Sequence, residues 1–101
     1  MAVRTREDAA RVLADTSDDK SFFCHDGCVA SNLHQLAECL SHISEDSFKH
    51  HVTLAKNDFS NWVRDVFGDD KLARELTIIS DHLEAAKAVR ARIAWLQKKL
   101  K

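Results

Sequence analysis

Apolar residues recur along most of this chain at helical spacing, and they divide it into short segments. In "REDAARVLAD", Ala9, Val12 and Leu13 share one face, and Thr5 followed by Asp8 resembles a capping box with Asp in place of Glu. A second helix is expected after Ser31 or Asn32, with Leu33, Leu36, Ala37, Leu40 and Ile43 as its stripe. Ser44 starts a third, running through Phe48 to about His51. Asn57 or Asp58 caps the next, where Phe59, Trp62, Val63, Val66 and Phe67 fall at i, i+3, i+4, i+7 and i+8. Gly68 follows at the position where a left-handed residue ends a helix. "DDKLAREL" is a further short helix, with Leu72, Ala73 and Leu76 inward.

The longest pattern runs from Asp81 to about Leu100, with Ser80 as its expected cap. Val89, Ile93, Leu96 and Leu100 align on one side, while Lys87, Arg90, Lys98 and Lys101 lie opposite and Trp95 falls outside the apolar arc. Asp81 and Glu84 in the first turn, and Lys98, Lys99 and Lys101 at the end, complement the helix dipole.

One stretch departs from this period. "SFFCHDGCVAS", after the polar loop "DTSDDK", sets Asp26-Gly27 between short apolar runs, the pattern of a hairpin with a type I′ turn. The chain has no Pro and only two Gly, which leaves little irregular structure. The fold predicted is therefore mainly α: a compact bundle of about five to six short helices, a small N-terminal β-hairpin and a long C-terminal helix. The 101 residues suit a single domain, with a helix and loop in 1–20, the hairpin in 21–30 and the bundle in 31–101. Trp62 is expected at the centre of the core.

The segments "FFCHDG", "NLHQLAECL", "FKHHV" and "KNDFSNWVRDVFGDDKLA" stand in an order that resembles a small prokaryotic domain family of unknown function. Its pattern is Phe-x-x-His-Val followed by Lys-Asn-Asp-Phe-x-x-Trp, and the resemblance covers residues 22 to about 76. It implies an intact domain and brings no activity with it. The N-terminal helix and most of the last helix lie outside it.

Charge adds an asymmetry. The formal net charge is −1, so no global basic field awaits nucleic acid. Residues 1–50 carry five Lys/Arg against nine Asp/Glu; residues 51–101 carry ten against seven. From Lys87 onward there are six basic residues and no acidic one. No apolar run approaches the ~20 residues of a membrane helix, and the first residues lack the apolar centre of a signal peptide. A cytoplasmic protein is expected, without membrane contact. Its three cysteines should then be reduced, and an odd number argues against a disulfide framework.

Four groups of residues invite chemistry. Cys24, His25 and Cys28 have the donor types for zinc, with His34 and Cys39 further on. The geometry is unfavourable, because His34 and Cys39 are five apart on a helix and face different ways. A redox reading has Cys24 and Cys28 close a reversible disulfide across the hairpin instead, although Cys-x3-Cys lacks the setting that depresses a thiol pKa. His50, His51 and Asp58 offer the materials of general acid–base work, with His42 as a further candidate. The simpler reading is structural: Asp58 sits where a cap belongs and His51 pins it. Phe59, Trp62 and Gly68 likewise read as core and helix stop.

Lys87, Arg90, Trp95 and Lys98 form the last group. They suit a protein partner or self-association, since an exposed Trp among cations has the composition of an interface hot spot. Phosphate contacts by the same cations are the weaker alternative, as no nucleic-acid motif accompanies them. The sequence thus points to a non-catalytic protein-interaction or regulatory module. A metal- or redox-responsive module using Cys24 and Cys28, and nucleic-acid binding through the last helix, stand as alternatives. No cofactor is implied beyond zinc.

Overall fold

The structure, a computed structural model, describes residues 3–101; Met1 and Ala2 of the expected domain lie outside the described residues. Six helices and one two-stranded antiparallel hairpin make up the regular elements among them. Helix α1, Arg6–Leu13, starts at Thr5 with both halves of the capping box made: the Thr5 hydroxyl accepts from the Asp8 amide and the Asp8 carboxylate accepts from the Thr5 amide. A single 3₁₀ turn, Asp18–Lys20, leads into strands β1, Phe22–Phe23, and β2, Val29–Ala30. Then come α2, Leu33–His42; α3, Glu45–His51; α4, Asp58–Trp62, which widens into a π turn over Val63–Phe67; α5, Asp70–Thr77; and α6, His82–Lys99.

The caps follow from side chains that accept the orphan amides of a first turn. Asn32, not Ser31, caps α2 through Gln35. Ser44 caps α3 and Asn57 caps α4, which leaves Asp58 as the first helical residue rather than the cap. Asp81, not Ser80, caps α6, because its carboxylate accepts from the Leu83 amide at 2.9 Å. Gly68 ends the π turn at φ 69°, the left-handed conformation that only glycine adopts without strain.

The hairpin turn differs from expectation. A type I′ turn needs positive φ at both central residues, and only Gly27 has it, at φ 98°. The Gly27 amide donates to the Cys24 carbonyl at 2.9 Å, and the Cys24 amide donates to the Cys28 carbonyl at 2.8 Å. The connection is thus a three-residue loop ending in a left-handed glycine, and the Asp26 carboxylate receives the Cys28 amide. Register pairs Phe22 with Ala30 and Phe23 with Val29.

The core lies where α2 packs along α6, with Leu33, Leu36 and Leu40 facing Val89, Ile93 and Leu96, all buried. Phe59, not Trp62, holds the aromatic centre. Phe59 is 1% exposed, with Phe22 and Phe48 stacked on it at 4.9 and 5.6 Å. Trp62 is buried at the rim, where its indole N–H donates to the Lys20 carbonyl at 2.7 Å. A Trp needs such an outlet for its donor, and the 3₁₀ turn supplies it. Two further side chains knit α4 to α5: Asn57 donates to the Leu76 carbonyl and Ser60 to the Ala73 carbonyl.

Candidate functional site

The paired histidines lie at the end of α3, beside the hairpin and the start of α4. A bridge between Val52 and Asn57 closes the loop between α3 and α4 and brings His51 to Asp58. His51 is buried, and its Nδ1 lies 2.9 Å from Asp58 Oδ2. Its Nε2 accepts the backbone amide of His25 at 2.9 Å. An acceptor at Nε2 requires the proton of the neutral ring to be on Nδ1, where it is donated to Asp58. Lys56 donates to the same Asp58 oxygen at 2.9 Å. Burial pushes the Asp58 carboxyl up, but the hydrogen bonds from Lys56 and His51 outweigh it and hold the group below its ordinary value.

This arrangement has the parts of an acid–base pair and the wiring of a strut. The nitrogen that a catalytic histidine would present to a substrate is bonded to the hairpin backbone. His50 is exposed and stacks on His25 at 4.1 Å. His25 is the foremost cause holding the His50 pKa below the ordinary histidine value, since protonating one ring opposes charge on the other. His42 stands apart, exposed at the end of α2 beside Glu38.

The cysteines pair in an unexpected way. Cys28 is joined by a disulfide to Cys39 of α2, so neither the all-reduced state nor a Cys24–Cys28 bridge is found. Cys24 is free and buried, and burial, aided by the Asp26 charge, pushes its thiol up to about 11. A sulfur already bonded to sulfur offers no thiolate to a metal, and the disulfide does not support the Cys24, His25, Cys28 reading. His25 lies exposed with its ring on His50, and no cluster of three or more candidate ligands occurs among the described residues.

Along α6 the expected contact residues fall on its outer side. Lys87 pairs with Glu84 at 3.4 Å and Arg90 with Glu38 of α2 at 3.6 Å. Trp95 is 40% exposed, with the Arg92 guanidinium 4.5 Å and the Lys99 ammonium 4.9 Å from its ring centre. Lys98 is exposed. Lys71, Glu75, Ala91, Arg92 and Trp95 line a shallow cleft of about 210 Å³ between α5 and α6. A larger cleft of about 370 Å³, with Val52, Leu54, Ile78 and Ile79 in its wall, lies beside α3.

One pair went unread in the sequence. Arg92 is not part of a solvated basic tail: it is 6% exposed and grips Asp69 with two hydrogen bonds of 2.8 Å. Asp69 is fully buried and also caps α5. The signal was available for Arg92, which sits three residues after Val89 and four before Leu96, inside the apolar arc.

The sequence model of a family of unknown function, DUF5752, matches residues 18–98. The chain belongs to that family. The DUF5752 match takes in most of α6 and the Asp69–Arg92 pair, so it extends beyond the stretch of 22 to 76 that the motifs mark out. No curated protein and no solved structure matches the chain. No helix among the described residues is long and apolar enough to cross a membrane.

Proposed function

We propose that this domain is a non-catalytic protein-interaction or regulatory module, and that the outer face of α6 is its contact element. One contrast carries the reading. The groups that resemble a reactive centre are spent inside the fold: both ring nitrogens of His51 have internal partners and Arg92 is locked to Asp69. Trp95, with Lys98 one turn on, is left facing outward. Large amphipathic side chains held rigid at a surface give the most contact energy per residue in protein interfaces.

Affinity capture from the native host tests the reading. Wild type and Trp95→Glu are used as baits after circular dichroism has shown equal folding. A protein retained by wild type and lost with Trp95→Glu supports the α6 face; identical captured sets refute it. Phosphate binding by Lys87 and Arg90 fits less well, since Glu84 and Glu38 stand against them. A redox-responsive role keeps a specific footing in Cys28–Cys39. Two electrons and two protons from a thiol reductant would open it to two thiols and untie the hairpin from α2.

A further inference from the structure

Helix α6 has two seams. The inner one, Ala85, Val89, Arg92 and Leu96, packs on the rest of the domain. The outer one is Glu84, Ala88, Ala91, Trp95 and Lys98, spaced 4, 3, 4 and 3, which is the 3.5-residue period of a helix that pairs with another. Glu84, Ala91, Trp95 and Lys98 are exposed, and Ala88 is half-buried. At eighteen residues the helix is roughly 27 Å long, and midway along it Ala91 and Trp95 border the cleft against Lys71 and Glu75 of α5.

The seam is complementary to itself in one direction only. Glu84 and Lys98 each lie seven residues from Ala91. If a second α6 runs antiparallel about a twofold axis at Ala91, each Glu84 meets the second copy's Lys98, and each Trp95 ring lies over the second copy's Ala88. The small side chains of Ala88 and Ala91 let the backbones approach. A parallel pairing would set Lys98, Lys99 and Lys101 against the same three residues, a repulsive arrangement. The antiparallel pairing also opposes the two helix dipoles. We infer that this face of α6 pairs with a second copy of the chain, as a symmetric antiparallel dimer centred on Ala91. This rests on the reading of α6 as the contact element and names its occupant.

A single helix seam covers less than the ~800 Å² per partner of a standard interface. The dimer is therefore weak and depends on concentration. Sedimentation velocity on the full chain, from about 10 µM to about 1 mM, reads association in that range. The mass should rise from 11.4 kDa toward twice that value. Glu84→Lys alone and Lys98→Glu alone should each remain monomeric, because each sets like charges together at both ends. Mixing these two variants should restore the dimer, since every pair across the seam is then opposite in sign. Both positions are exposed, so the folded state is retained and circular dichroism verifies it. A wild-type monomer at the highest concentration overturns the inference, as does a dimer indifferent to both charge changes. A monomer whose Trp95→Glu variant still loses a captured host protein removes self-pairing alone and leaves α6 as a contact for another chain.

Discussion

Replacing Arg92 with Met should be among the costliest substitutions in this domain. The side chains of Arg92 and Asp69 are 6% and 1% exposed and are joined by two hydrogen bonds of 2.8 Å. Without the guanidinium, the Asp69 carboxylate stays buried with, among the described residues, only the Leu72 amide, at 3.5 Å, to hold it. Breaking a buried pair from one side costs about 3–5 kcal/mol, because a charge is left without water or counter-charge. A domain of this length has about 5–15 kcal/mol in total. At about 4–8 °C per kcal/mol, the melting temperature should fall by roughly 12–40 °C. The double variant Asp69→Asn/Arg92→Met should recover about 2 kcal/mol or more, since Asn still caps α5 and no net charge is buried. Urea unfolding followed by far-ultraviolet circular dichroism measures both. A cost below ~1 kcal/mol for Arg92→Met, or a double variant as unstable as the sum of the singles, would refute the reasoning.

Two other outcomes bear on separate parts of the structure. The Cys28–Cys39 bridge closes a loop with a sequence separation of 11, so Cys28→Ser should cost about 3 kcal/mol in the chain-entropy account; alkylation of the denatured, unreduced protein should modify Cys24 alone, and three modified cysteines would show the bridge absent. Asp58 has its pKa lowered in the fold, so its contribution is present above the ordinary carboxyl value near 3.8 and is lost as pH falls through the lower folded value. Asp58→Asn should therefore flatten the fall in stability below about pH 4, and an unchanged acid limb in urea titrations would contradict that.

The helices were legible because burial on one side of a helix writes a 3.6-residue period into the sequence, and because Asn57, Ser44 and Gly68 are types that stop or start helices for local reasons. What tertiary packing decides was not legible. Asp69 looks like any cap beside Gly68, and although the place of Arg92 in the apolar arc of α6 marks it as inward-facing, only the approach of α6 to the start of α5 names its partner. Cys39 reads as a small apolar residue until the hairpin lays Cys28 against α2. Asp-Gly is compatible with more than one tight turn, and the Gly27 amide bonding to Cys24 selects the longer one. The centre of the core moved from Trp62 to Phe59 because an indole N–H has to reach a carbonyl, and that carbonyl is at the rim.

The histidine network can be read directly in solution. With Nε2 accepting from the His25 amide and Nδ1 donating to Asp58, His51 is tied to the hairpin on one side and to α4 on the other. A long-range proton–nitrogen spectrum of the imidazole rings at pH 7 should show His51 as the neutral tautomer with its proton on Nδ1, and Asp58→Asn should perturb that signal. An Nε2-protonated ring, or one exchanging freely between tautomers, would contradict the structural role of His51 and return the pair with Asp58 to the candidates for chemistry.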